Sequence, residues 1–329
     1  MTRALPLALM LVLAGTIAWA DAPRLSLPIA CAPGKDCWVV NYVDLDEGPG
    51  RRDYRCGQQT YDKHNGTDIA IRDTKAMGRG VPVLAAAAGT VKALRDGVDD
   101  ANFRSLPPEA IAKRECGNGV ILDHGDGWQT QYCHLRKGSV RVRRGDRVAA
   151  GDALGLVGMS GKTEFPHLHV TLRHEGKVVD PFVGQSGGER CQAGKAPLWE
   201  PATLARLEYR PGAVYAYGIA PDRPDAEKAR AGELDVDRLP ADADALVAWA
   251  DIYNVAKGDS LRIELSGPDG KSIARLERTF DKDQSRVFQL AGRKRRGEAW
   301  PAGTYEAEIL YRRADGSGNP PVRVRVEVR

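Results

Sequence analysis

Val120-Ile121-Leu122-Asp123-His124-Gly125-Asp126-Gly127-Trp128-Gln129-Thr130-Gln131-Tyr132-Cys133-His134-Leu135 sets two runs of strand-forming residues around a Gly-Asp-Gly turn. The pattern predicts a β-hairpin with strands over 120–123 and 129–135. Outward from it, short apolar runs punctuated by glycine recur at 67–71, 81–86, 89–94, 139–142, 147–149, 153–157 and 167–173. That density of strands implies a β-sandwich or barrel. The 36 glycines and 20 prolines among 329 residues argue against a helical bundle.

Two segments interrupt this pattern. Residues 25–43 read as an N-terminal strap that mixes apolar stretches with Cys and Pro. Residues 96–115 read as an insert, with Pro107-Pro108 capping a short helix at 109–114, and inserts of this kind often wall a site. Residues 184–201, rich in Gly, Ser and Gln, read as an inter-domain connection. Beyond them come a strand at 213–220, a charged helix at 224–231, and alternating strands at 246–253, 261–265, 273–279, 286–290, 304–311 and 322–328. The expectation there is an immunoglobulin-like β-sandwich. Val247, Trp249, Asp251 and Tyr253 share one strand face, and with Trp300 and Tyr305 they read as core or domain-interface packing rather than a glycan platform. Arg293-Lys294-Arg295-Arg296 reads as a solvated loop.

Arg3, an apolar run from Ala4 to Ile17 and Ala18-Trp19-Ala20 have the layout of a secretory signal peptide over 1–20, cut before Asp21. Thr16 stands where a lipoprotein signal would need Cys. No later segment is apolar enough to span a bilayer. A net charge of +4 in a chain that is 28% charged and 42% hydrophobic excludes disorder and bulk-charge nucleic-acid binding. Export turns the six cysteines into a disulfide framework. Cys31 is near Cys37 in sequence, Cys116 and Cys133 flank the hairpin, and Cys56 is left with Cys191.

All six histidines and all six cysteines precede residue 197, so metal or histidine chemistry belongs to the first domain. Three patterns stand out: His64-Asn65-Gly66-Thr67-Asp68, Tyr132-Cys133-His134-Leu135 and Pro166-His167-Leu168-His169-Val170. On a strand His167 and His169 point to one face, and His64 and Asp68 can share one. Four imidazoles and a carboxylate can therefore converge on one cleft. Two His and one Asp supply three ligands to Zn²⁺ and leave a fourth position open, as in a catalytic site. Any one of these patterns alone is common by chance. The His-Glu-x-x-His helix is absent, and His124 and His174 read as ordinary surface residues.

These motifs resemble the lysostaphin-like zinc metallopeptidases, also called LytM-domain or β-lytic peptidases. The resemblance runs over about 61–181 and includes Gly80-Val81-Pro82-Val83-Leu84-Ala85-Ala86, Gly117-Asn118-Gly119-Val120, Gly161-Lys162-Thr163 and Val179-Asp180-Pro181. It implies a mostly antiparallel β-sheet groove, His64, Asp68 and His169 as ligands of one Zn²⁺ per chain, and His134 and His167 on the catalytic side. The implied function is hydrolysis of peptide bonds in bacterial peptidoglycan by a metal-activated water, at stem-peptide cross-links in a periplasm or otherwise outside the cell. The chain is then a signal at 1–20, a LytM-type domain at 21–196 and a sandwich at 197–329. Two competing readings are a non-hydrolytic wall binder that activates amidases and an exported peptidase acting on proteins. Neither oligomeric state nor a nucleic-acid partner is indicated.

Overall fold

The structure, a computed structural model, describes residues 22–184, 191–318 and 320–329. The signal-peptide expectation lies outside the described residues. Among those residues no helix is long and apolar enough to cross a membrane.

The first unit contains β1 (Cys37–Asn41), β2 (Thr67–Ile71), β3 (Pro82–Leu84), β4 (Gly89–Arg95), β5 (Asn118–Gly125), β6 (Trp128–Leu135), β7 (Arg147–Val148), β8 (Ala153–Leu156), β9 (His167–His174) and β10 (Lys177–Val179). Seven of these form an antiparallel sheet in the order β1-β2-β9-β6-β5-β4-β7, with β10 paired to β9, while β3 and β8 pair separately. The hairpin turns through Gly125, Asp126 and Gly127, all at positive φ, which is the backbone that such a tight connection needs. Leu168, Val170 and Leu172 of β9 enter the core beneath the sheet together with Ile69 and Ile71 of β2. Alternation places Asp68, His167 and His169 on the opposite face.

Several sequence expectations need correction. The strap contributes β1, which pairs with β2 and extends the sheet. Residues 139–142 are extended but form no ladder. The insert helix spans Pro108–Ile111 and is preceded by a 3₁₀ turn at Phe103–Ser105; it ends early because Lys113 takes a left-handed φ of 62°. The stretch 184–201 is not a solvated connection throughout. Leu198 and Trp199 are buried in the first core, and Leu207, just after the helix Pro201–Arg206, joins them. The chain thus leaves the first core past residue 207 rather than at 196.

The second unit contains β11 (Ala213–Ala220), a helix (Ala226–Ala231), β12 (Arg238–Leu239), β13 (Ala245–Val255), β14 (Ser260–Ser266), β15 (Ser272–Thr279), β16 (Gln284–Lys294), β17 (Gly303–Arg312) and β18 (Val322–Val328). Its two sheets, β11-β13-β16 and β12-β18-β17-β14-β15, face each other across one apolar core that includes Trp300 and Tyr305. Arg293 and Lys294 belong to β16, so only part of the basic run is loop. Leu246, Ala248, Ala250 and Ile252 of β13 point into that core. Trp249 and Tyr253 point the other way, into a third cluster with Trp38, Val40 and Ala70 of the first unit. The Trp249 face is therefore domain-interface packing.

The three disulfides are Cys31–Cys37, Cys116–Cys133 and Cys56–Cys191. These are the pairs read from the sequence.

Candidate metal centre

β2 and β9 pair so that Asp68 lies opposite His169 and Ala70 opposite His167. His64 precedes β2 by three residues and folds back over it. Its Nε2 lies 3.1 Å from Asp68 Oδ1 and 3.2 Å from His169 Nδ1, and His169 Nδ1 lies 2.7 Å from Asp68 Oδ1. All three residues are buried. Gly66 sits where any Cβ would meet the Val170 carbonyl at 2.6 Å and the His169 ring at 2.7 Å, so the close approach of this loop to β9 requires glycine.

The outer atom of each group is held by a neighbour. His64 Nδ1–H donates to the Tyr42 carbonyl at 2.6 Å, Asn41 Nδ2 donates to Asp68 Oδ2 at 2.9 Å, and His169 Nε2–H donates to Asn65 Oδ1 at 3.1 Å, with Thr171 Oγ1 at 3.0 Å. Hydrogen bonds of this kind fix the tautomer and leave the inner nitrogen as a lone-pair donor. Tetrahedral coordination at about 2.1 Å separates neighbouring donors by roughly 3.4 Å. The three inner atoms, 2.7–3.2 Å apart, need only a slight expansion to reach that spacing. A buried carboxylate surrounded by imidazoles, with no Lys or Arg against it among the described residues, is a donor set suited to Zn²⁺.

His134 and His167 border this cluster, their ring centroids 4.6 Å apart. His167 Nε2 is 3.6 Å from Asp68 Oδ1, and its Nδ1 is held by the Phe165 carbonyl and Thr163 Oγ1, each at 3.0 Å. His134 Nδ1–H donates to the Ser160 carbonyl at 2.7 Å. His134 also takes a left-handed backbone, φ 62°, a conformation that costs on the order of 1 kcal/mol and needs support from its surroundings. The support is specific: its amide donates to the Cys116 carbonyl at 2.8 Å, its carbonyl accepts from Gly158 at 3.0 Å, and Cys133 before it is bonded to Cys116.

Electrostatics separate these histidines. Burial opposes a charge on His64, but the Asp68 carboxylate outweighs it and raises the imidazole above its ordinary pKa. Burial also opposes ionisation of Asp68, yet His64 and His167 hold its carboxyl well below the usual carboxylate range. Burial, reinforced by His167 and His169, holds His134 well below the imidazole range, and burial lowers His167 against the pull of Asp68. Both are neutral at pH 7.

His124 and His174 stand apart from the cluster, but they are half-buried rather than ordinary surface groups. His124 bonds the Ala88 carbonyl and Thr130 Oγ1, and His174 stacks on Trp128 with centroids 4.3 Å apart. The sequence reading missed Asn41, the Tyr42 carbonyl, Ser160 and Thr171. Of these only Thr171, two residues after His169 on the same strand face, carried a usable signal.

The model of Peptidase family M23 matches residues 62–181. This segment belongs to that family. Similar curated proteins include the peptidoglycan DD-endopeptidase ShyA of Vibrio cholerae, 34% identical over 117 residues that make up 36% of this chain and 22% of the relative. The DD-carboxypeptidase/endopeptidase Mpg of Neisseria meningitidis is 33% identical over 136 residues, 37% of this chain and 31% of that one. The chain thus spans less than a third of the length of either relative. Among solved structures, a mutant catalytic domain of the prophage-encoded M23 protein EnpA from Enterococcus faecalis aligns with 51% of this chain and 98% of its own, at 23% identity and a TM-score of 0.33. Asn41 and Tyr42, which orient Asp68 and His64, lie before the M23 segment, and the whole second unit lies after it.

Proposed function

We propose that this chain is a zinc-dependent endopeptidase that hydrolyses peptide bonds of bacterial peptidoglycan at stem-peptide cross-links. The observation that carries the proposal is the convergence of His64 Nε2, Asp68 Oδ1 and His169 Nδ1, with neutral His134 and His167 beside them. Three protein ligands with one side open suit a catalytic rather than a structural site. The chemistry supplied at such a site is Lewis-acid polarisation of the scissile carbonyl and an acidified water.

The chain's own groups do the remaining work. With Nδ1 tied to a carbonyl, neutral His134 and neutral His167 each keep a lone pair on Nε2. That atom takes the proton of the attacking water and returns it to the leaving amine. The imidazolium formed on the way helps to stabilise the developing oxyanion. Asn41, Tyr42 and Asn65 hold the ligand atoms and take no part in proton transfer.

The substrate assignment is supported by the printed activities of the relatives, both peptidoglycan-directed or DD-peptidases by name. Three disulfides fit an oxidising compartment, and we place the mature protein in the periplasm after loss of 1–20. The second unit, two stacked sheets of three and five strands that begin at β11, supports the immunoglobulin-like reading of the region after residue 207.

The test is mass spectrometry of the fragments released from purified cross-linked sacculi by zinc-loaded protein, beside His169→Ala. Conversion of cross-linked dimers to monomers by the wild type alone is the expected result. Zinc-loaded protein that leaves sacculi intact while cleaving protein substrates would assign it to exported proteins instead.

A further inference from the structure

The second unit lies on the same sheet face as the metal centre. Trp38 of β1 pairs with Ala70 of β2, and Ala70 pairs with His167 of β9, so all three side chains share one face. At a strand spacing of about 4.8 Å, Trp38 is roughly 10 Å from His167. Trp38 and Ala70 are covered by β11 and β13, with Trp38 edge-on to Tyr215 at 6.0 Å. Asn254 at the end of β13 donates to the Val40 carbonyl at 2.8 Å. Phe165 closes the gap, because its ring lies 4.7 Å from that of His167 and it also packs into the cluster with Tyr215.

At this junction sits a charge arrangement that the proposed mechanism does not use. Asp251 of β13 is wholly buried, and its Oδ2 accepts from Tyr215 Oη at 2.7 Å, Arg230 Nε at 2.9 Å and both Nε and one terminal nitrogen of Arg286 at 3.0 Å. Two guanidiniums thus share one buried carboxylate; the other carboxylate touching them is Glu227, which is exposed and pairs with Arg230 alone. Arg286 lies over the Tyr215 ring at 4.9 Å and keeps about a quarter of its side chain open, at 26%. Glu164, beside Phe165, is paired with Arg104 of the 96–115 insert at 2.7 Å.

Resting on the function proposed above, we infer that the second unit forms a fixed wall of the catalytic groove and that Arg286 on this wall binds a free carboxylate of the substrate peptide next to the scissile bond. The Arg286 guanidinium, which shares its carboxylate partner with Arg230, is held by Asp251 and stacked on Tyr215, so a carboxylate meets a preorganised donor. Stem peptides carry free backbone α-carboxylates close to the bond to be cut, whereas the carboxylates within an ordinary protein segment sit on Asp and Glu side chains. Arg286 is a specificity-determining residue in this account, and Asp251 and Tyr215 position it.

The experiment compares two synthetic cross-linked stem-peptide dimers, one with its carboxylates free and one with them amidated, as substrates for wild type, Arg286→Gln and Arg286→Lys. Wild type should favour the free-carboxylate peptide about tenfold in kcat/KM, chiefly through KM. Arg286→Gln should bring the ratio near one, and Arg286→Lys should restore part of it. Equal use of both peptides by the wild type, or an unchanged ratio in Arg286→Gln at wild-type zinc content and melting temperature, would overturn the inference and leave the proposed function standing. Failure of the wild type to cleave either peptide, or sacculi, would overturn both. If Arg286→Gln does not fold, a preference in the charge-conserving Arg286→Lys that is reduced below that of the wild type, because a single ammonium cannot reproduce the fork, supports the inference, and full retention contradicts it.

Discussion

Asp251 and Asp259 of the second unit are buried in a different way from Asp68 of the first. In the second unit Asp251 is met by Arg230 and Arg286, and Asp259 is met by Arg313, Tyr311 and two backbone amides. In the first, Asp68 is met by three imidazoles and the amide of Asn41, none of which carries a permanent charge. A buried carboxylate supplied with arginine has its countercharge within the protein. One ringed by imidazole lone pairs offers a place for a cation, and on this difference rests the proposal that Asp68 is a ligand while Asp251 and Asp259 are structural.

The strongest way to break the comparison is His64→Ala, expected to lower kcat/KM on peptidoglycan by about a thousandfold or more because three donors become two. A smaller loss would place the chemistry elsewhere. Next comes Asp259→Ala, which strands Arg313 and should cost about 2–3 kcal/mol in urea unfolding, discounted for the partial exposure of Arg313, while zinc content stays at the wild-type level. A change in zinc content there would erase the distinction between the two kinds of buried aspartate.

Asp180 is a third case, buried with no cation against it among the described residues. Burial, aided by Asp53, pushes its carboxyl up to about 7, and its Oδ2 has no partner among the described residues. The folded state therefore holds this proton more tightly than the unfolded chain does. Stability is greatest below the ordinary carboxylate pKa and falls as pH rises from about 4 towards 7. Asp180→Asn should remove that decline, with a gain on the order of 2 kcal/mol at pH 8 and little below pH 4, read from melting temperature against pH. Asn41→Ala should weaken zinc affinity by about 10–100-fold, measured by competition with a chelator, without moving the apo melting temperature far. The smallest effect belongs to the solvent-exposed pair Arg275–Glu277, where Arg275→Ala should leave the urea-unfolding midpoint unchanged from wild type.

The same contrast governs what could be read from the sequence. In the second unit the sequence pattern marks most strands, so 213–220 and 322–328 are strands with the expected bounds, the other expected strands differ by a few residues at their ends, and the two-residue β12 was not read. In the first unit His167-Leu168-His169 was legible for the same reason, as a period of two on β9. The contacts that orient the ligands were not. A bond from His64 to the backbone carbonyl of Tyr42 has no side-chain signature, and Asn41 reaches Asp68 across 27 residues through a strand that the Cys- and Pro-rich strap concealed. The left-handed backbone of His134 is equally silent in sequence, because it is imposed by the Cys116 loop and the Gly158 amide. Trp199 was hidden by its neighbours, since two apolar residues between prolines show no period.

The most direct test is the metal content of purified protein by plasma mass spectrometry, for wild type and for Asp68→Ala. One zinc per chain in the wild type and none in Asp68→Ala is the expected result. Zinc retained at full stoichiometry by Asp68→Ala, or a wild type that takes up no metal, would contradict the reading of Asp68 as a carboxylate completed by a cation.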